Sequence, residues 1–293
     1  MGIPANKRIA ENHPCFSEKA HKKYGRLHLP VAPKCNIQCN YCIRKSDCVN
    51  ETRPGVTSAV LGPLEAMERV RAIMDRTSGV SVIGIAGPGD PLANEATFET
   101  LCLIHKEFPE IILCISTNGL MLPVRLHDLL ACGVQSITVT INALTIGTAE
   151  KIYAHVFREG EMLTGKAAAG ALVQNQWEGL SMAIGAGLIV KVNSIYIPGV
   201  NEDEVPRIAA RAGGMGAEIM NVMPLIPQAA FKGISRPSCG MLSKMREECR
   251  AHMPQMTHCK QCRADAFGLQ GEDRDMELEL LNARIGEDYC ENV

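Results

Sequence analysis

Residues 35–42 read CNIQCNYC, and the run that leads into them, Arg26 to Ala32, stops at Pro33 just before the first cysteine. Leu27, Leu29 and Val31 alternate along that run, the period expected of a strand. Cys35, Cys39 and Cys42 therefore stand at the mouth of the first predicted strand. Three thiolates at this spacing can each bind one iron of a cubane and leave the fourth iron open, whereas a cluster held wholly by protein takes four cysteines. Two other readings stay open from these residues alone. One is a zinc site completed by a distant ligand; the other is cysteines that pack as small hydrophobes.

Working outward, the chain alternates. Leu64, Met67, Val70, Ile73 and Met74 recur at helical spacing after Pro63, a residue suited to a helix start. Val80 to Ala86 is a short apolar run, read as a buried parallel strand, and it ends in the loop GPGDPLAN, residues 87–94. Helices near 95–107, 123–132, 165–186 and 202–212 then alternate with strands at 111–116, 135–141, 188–195 and 218–222, with a longer loop over 143–163. Six strands, with a helix between each and the next, predict an α/β fold, a partial (βα)6 TIM-like barrel with right-handed crossovers. Its chemistry belongs at the carboxyl ends of the strands. Residues 1–25, polar and irregular, form an N-terminal extension, 26–222 the barrel and 223–293 a C-terminal extension, with a charged helix near 273–284. Both extensions are expected over the barrel mouth.

The 293 residues carry a net charge of −2 and 46% hydrophobic residues, enough for one large core and without a basic surface for nucleic acid. No apolar signal region opens the chain and no stretch is long enough to span a membrane, so a cytoplasmic location is expected. Thirteen cysteines in such a chain argue for metal or redox chemistry over a disulfide framework.

The cysteine loop, with Tyr41 just before its third cysteine, resembles that of the radical S-adenosylmethionine (SAM) superfamily. The resemblance implies a [4Fe-4S] cluster on Cys35, Cys39 and Cys42, with SAM on its open iron and reductive cleavage to methionine and a 5′-deoxyadenosyl radical. Gly87-Pro88-Gly89-Asp90-Pro91 is similar to the family's Gly-Gly-Glu-Pro segment, which holds the methionyl amino group, although Asp90 stands where glutamate is usual. Ser116 and Asn118, Thr138, Thr140 and Asn142, and Asn193 and Ser194 end further strands. They are candidates for carboxylate and ribose contacts, or ordinary loop and cap residues. Asn221 and Met223 are similar to adenine-side positions in the family.

Further thiols narrow the resemblance. ENHPC at 11–15, DCVNETRPGV at 47–56, AGPGDPLAN at 86–94 and CKQCRADAFGL at 259–269 are similar to the branch of this superfamily that builds the nitrogenase cofactor. That branch donates a SAM-derived methyl group to a cluster sulfide, abstracts hydrogen from it, and fuses two [4Fe-4S] clusters into a carbide-centred [8Fe-9S-C] unit. Many of its members continue into a carrier-like domain, so the resemblance implies a short form lacking that domain. Cys15, His28, Cys48, Cys114, Cys259 and Cys262 are then expected to hold the two substrate clusters, with His13 as rival to His28. His28 also reads as a satisfied barrel-core histidine. Cys102 and Cys132 read as core residues within helices. Packing is favoured for Cys239, Cys249 and Cys290. The expected partners are SAM, iron–sulfur cluster donors, an electron donor such as a ferredoxin, and carrier or scaffold proteins of cofactor assembly. Two alternatives remain: a radical SAM enzyme whose auxiliary clusters serve peptide modification or a molybdopterin precursor, and a non-catalytic iron–sulfur scaffold.

Overall fold

Ile83, Ile85, Leu113, Ile115, Ile137, Val139, Val190 and Val192 are almost wholly buried, and they pack against helices on the convex side of one sheet. Each such aliphatic side chain stabilises the fold by roughly 1.5–3 kcal/mol. The computed structural model describes residues 5–45, 47–50, 57, 59–77, 79–259, 262–269 and 274–275. In chain order its elements are α1 (Ala5–Asn12), α2 (Glu18–His21), β1 (Gly25–His28), β2 (Ile37–Cys39), α3 (Pro63–Met74), β3 (Val80–Ile85), α4 (Glu95–Glu107), β4 (Ile112–Thr117) and α5 (Leu122–Ala131). They continue as β5 (Val134–Thr140), α6 (Ile146–Ile152), β6 (Tyr153–Arg158), β7 (Glu161–Thr164), α7 (Gly165–Gly185), β8 (Ile189–Tyr196), α8 (Val205–Met215), β9 (Ile219–Pro224), α9 (Cys239–Arg250), β10 (Ala266–Gly268) and β11 (Arg274–Asp275).

The main sheet runs β11-β10-β1-β3-β4-β5-β8-β9. Its six strands from β1 to β9 are parallel, the curled half-barrel that the alternation predicts. β10 adds to the β1 edge antiparallel, so the C-terminal region extends the sheet as well as reaching its mouth.

Three expectations are corrected. Residues 1–25 are not irregular throughout: α1 and α2 form there, the latter capped by Ser17, whose hydroxyl accepts the Ala20 N–H. The stretch 143–163 is not a loop. It holds α6 and the hairpin β6-β7, because the cysteine loop needs a partner for its own backbone and β2 pairs antiparallel with β6. Cys102 and Cys132 are joined in a disulfide across α4 and the end of α5, with Cys102 exposed, so they are not two independent core thiols. Cys290 and most of the predicted helix at 273–284 lie outside the described residues, while Arg274–Asp275 within it form β11.

The loop after β5, which leads into the β6-β7 hairpin, is held by one carboxylate. Glu204 accepts from the Leu144 N–H at 2.6 Å, the Thr145 hydroxyl at 2.6 Å and the Thr148 hydroxyl at 2.9 Å. Burial pulls its acidity one way, but these donors outweigh it and hold the carboxyl below the usual glutamate range. A depressed carboxyl contributes stability above its unfolded pKa, and that contribution is lost as pH falls through the folded value. Glu204→Gln is expected to cost about 1–3 kcal/mol in urea unfolding of the apo protein at neutral pH. The difference from wild type should shrink below the normal glutamate range; a difference independent of pH would mean the charge is irrelevant.

Candidate active site

The cysteine loop has a small core of its own, in which Ile37, Tyr41, Val49, Tyr153, Val156 and Phe231 pack together. Its backbone is stapled to the hairpin: Asn40 N donates to Ile152 O at 2.8 Å and Phe157 N to Asn36 O at 2.7 Å. The Gln38 side-chain amide donates to the carbonyls of Cys39 and Cys42 at 2.9 and 2.8 Å, closing the turn between these two cysteines. Cys35, Cys39 and Cys42 thereby line one cup of about 370 Å³ with Asp90, Ser116 and Asn118. Burial raises all three thiols. The Asp90 carboxylate adds to this at Cys35, and the other two thiols add to it at Cys39, which is pushed to about 12. Arg44, which also lines the cup, counters this only in part, and soft thiolates suit iron–sulfur clusters. This donor set fits a cluster bound through three sulfurs.

The loop after β3 braces that cup. At Gly89 a side chain is impossible, since a Cβ would lie 2.2 Å from the carbonyl oxygen of Lys34. Gly87 has a positive φ of 155° and precedes a cis peptide to Pro88. Asp90 accepts from Leu92 N at 3.0 Å, Thr117 Oγ1 at 2.9 Å and Asn118 N at 2.7 Å, tying this loop to the end of β4. Burial is the leading influence on its carboxyl and lifts it to about 6 against those three donors. Tyr41 donates to Asn50 Oδ1 at 2.7 Å and accepts from Asn142 Nδ2 at 2.7 Å.

Strand register builds a second cavity, in the lumen. His28, Gly84, Cys114 and Ser136 are neighbours in one row across β1, β3, β4 and β5. Ser116, Thr138 and Lys191 form the next row, and Thr140, Asn193 and Asn221 the one beyond. Gly84 makes room for the histidine: a Cβ there would sit 3.1 Å from His28 Cδ2. The resulting cavity, about 650 Å³, is lined by Cys15, His28, Cys114, Cys259 and Cys262, and also by His13, Arg26, Ser116, Lys191, Asn193, Asn221 and Met223. Residues from both extensions complete it. The buried Arg26 guanidinium holds the tail in place, donating to Cys262 Sγ at 3.2 Å and to the carbonyls of Gly268 and Leu269 at 2.6 and 3.0 Å.

The structure brings together most of the expected residues but sorts some differently. Cys48 lines the cup, its N–H donating to Pro88 O at 2.9 Å, and not the lumen cavity with the other auxiliary thiols. Asn142 and Ser194 line neither cavity. The Asn142 amide is spent on Tyr41, on Tyr153 at 3.2 Å and on the Ile195 N–H, and Ser194, one residue out of phase with Asn193, donates to Ile141 O. Arg26, Lys191 and Asn50 are the residues the sequence reading passed over. For the first two a signal existed, a cation inside a buried strand of mainly apolar residues.

A family model, the radical SAM superfamily, matches residues 29–212. The FeMo cofactor biosynthesis protein NifB of Methanocaldococcus infernus is 44% identical over 89% of this chain and 86% of its own length. The chain belongs to the NifB family of radical SAM proteins. NifB of Klebsiella pneumoniae is 46% identical over 94% of this chain, and NifB of Azotobacter vinelandii 42% over 95%. This chain spans 60% and 57% of the length of those two relatives. The superfamily match stops before Cys259 and Cys262, whereas relatives aligned over 94–95% of the chain extend past them.

In 13C-labelled apo protein the Asp90 carboxyl is expected to titrate near pH 6. Thr117→Val, which removes one donor to it, should move that titration higher. A midpoint in the ordinary aspartate range for both proteins would show that water reaches the carboxylate and that the brace is open.

Proposed function

We propose that this chain is a radical SAM enzyme of nitrogenase cofactor biosynthesis that inserts a SAM-derived carbide and fuses two [4Fe-4S] clusters into an [8Fe-9S-C] precursor. One observation carries the reading: the three-cysteine cup and the thiol-rich lumen cavity share a wall, with Ser116 lining both. A second thiol set beside the first is what a reaction on an inorganic substrate needs. When bound to Cys35, Cys39 and Cys42, the cluster supplies the electron that cleaves SAM.

The remaining work falls to the chain's own residues. Ser116 and Asn118 at the end of β4, and Asn193, Asn221 and Met223 in the lumen, are assigned to SAM, with Thr140 in the row of Asn193. Gly87, Gly89 and Asp90 are assigned to its methionyl end, Asp90 acting from a position fixed by Thr117 and Asn118. Tyr41, Asn142 and Ser194 support these groups from behind. Cys15, Cys114, Cys259 and Cys262, with His28, hold the substrate clusters in the lumen, and Cys48 holds the one nearer the cup.

Hydrogen bonding favours His28 over His13 as a ligand. The Arg263 carbonyl, 2.9 Å from His28 Nδ1, can only accept, so Nδ1 carries the proton and Nε2 presents a lone pair. Ligating histidines commonly donate their other N–H in this way. At His13 the arrangement is reversed: Nδ1 accepts from Cys15 N at 3.1 Å, which puts the proton on the buried Nε2. His13 therefore offers a donor where His28 offers an acceptor.

Anaerobic reconstitution is expected to yield the iron of about three [4Fe-4S] clusters per chain. Cys259→Ala with Cys262→Ala should lower that content by about one cluster, while reductant and SAM still give 5′-deoxyadenosine. Iron for only one cluster in wild type would defeat the three-cluster scheme, and absence of 5′-deoxyadenosine would leave a scaffold. Activation of cofactor-deficient nitrogenase by the product separates this enzyme from other radical SAM enzymes with auxiliary clusters.

A further inference from the structure

His13 lines the lumen cavity, 2% exposed, and its ring is fixed from several directions at once. Its carbonyl accepts from Phe16 N at 3.0 Å and Ser17 N at 3.2 Å, which closes a turn directly after α1. The Phe16 ring meets the imidazole edge-on, with 4.9 Å between centroids and 74° between planes. That turn is pinned on two sides. Ser81, in β3, donates its hydroxyl to the Asn12 carbonyl at 2.8 Å, and His258 Nε2 donates to the Pro14 carbonyl at 3.0 Å. With Nδ1 accepting from Cys15 N, the ring proton sits on Nε2. This N–H is buried and has no hydrogen-bond partner among the described residues. A buried donor left unmet is costly, so a ring held this firmly implies an acceptor supplied from the cavity.

The walls fix the character of that acceptor. Two buried cations, Arg26 and Lys191, line the same cavity, and among the described residues no carboxylate does. Such a lining selects an anion, because buried charge needs an opposite partner. Arg26 Nε already donates to a thiol of this wall, Cys262 Sγ, at 3.2 Å, so N–H to sulfur is a contact the site makes. A phosphate would suit the cations but leave Cys15, Cys114, Cys259 and Cys262 without a role. An anion rich in sulfide and bound through thiolates uses both sets.

We propose that His13 is a positioning residue for the substrate clusters, donating its Nε2–H to a sulfur of the lumen cluster that Cys15 holds. The proposal rests on the reading that the lumen holds iron–sulfur clusters. Standing two residues from Cys15 and bonded to its N–H, the imidazole is set in register with that thiolate. A ligand would need Nε2 as an acceptor, the state that the Cys15 N–H opposes. The positive end of the N–H dipole faces the sulfur, which favours the reduced, more negative cluster and raises its potential.

The test uses the full chain carrying Cys35→Ser, Cys39→Ser and Cys42→Ser, so that after anaerobic reconstitution only the auxiliary clusters report. In that background His13→Asn keeps an acceptor for the Cys15 N–H but lacks the Nε2 donor, whereas His13→Gln puts an amide N–H in place of Nε2–H. Iron content, midpoint potentials from an EPR-monitored redox titration and nitrogen couplings from pulsed EPR are compared. His13→Asn should shift one midpoint to more negative potential, with iron and the strongly coupled nitrogen assigned to His28 unchanged. His13→Gln should bring the midpoint back toward that of the background. Iron lost in His13→Asn and regained in His13→Gln supports the same role, the donor then being needed to retain the cluster. Equal midpoints in the background and His13→Asn overturn the proposal. An equal shift in both variants also overturns it, since the effect then follows the ring and not the donor. Loss of one cluster's iron or of the strong nitrogen coupling in both variants makes His13 a ligand and overturns it too. If the background itself takes up no iron, the cluster reading of the lumen has failed and this assignment fails with it.

Discussion

The cysteine loop depends on a hairpin borrowed from elsewhere in the chain. Between β1 and α3 the backbone turns too tightly around Cys39 and Cys42 to satisfy its own polar groups, and buried amides left unpaired are costly. β6 supplies the missing partners, and Gln38 closes the turn from within. The three thiols keep their mutual positions because that pairing is in place. Its anchorage in turn relies on Glu204, which gathers the start of α6. A carboxylate far from the thiols in sequence therefore sets how firmly the cup is held.

The lumen follows a different rule. In a parallel sheet covered by helices on one side, every second residue must face the other side, and here those positions carry His28, Cys114, Thr138, Lys191 and Asn193 in registered rows. An unbranched backbone at Gly84 gives the imidazole its place between neighbouring strands. The ends of the chain then add Cys15, Cys259 and Cys262 to a wall the barrel strands alone leave incomplete.

The six barrel strands and the cup were legible because apolar runs of strand length and closely spaced cysteines are local signals. The β6-β7 hairpin was not: Tyr153 to Arg158 alternates as an edge strand should, but nothing within it names β2 as its partner. The disulfide between Cys102 and Cys132 was likewise hidden, since it joins positions in separate helices. Among candidate ligand contacts, Asn193 could be placed by strand parity. Asn142 could not, because its amide is engaged by Tyr41 and Tyr153, which meet it only in the fold. Cys48 shows the same limit, its loop position leaving open which of two adjoining cavities it faces.

Arg26 has a consequence for the order in which the molecule takes shape. Its three tail contacts join residues 236, 242 and 243 positions apart in sequence, the kind of long closure that forms late in folding. During synthesis the strands from β1 to β9 are complete before β10 exists to pair with β1. The lumen is therefore first a trough and becomes a chamber when the tail arrives. The buried guanidinium is what holds that last piece in place.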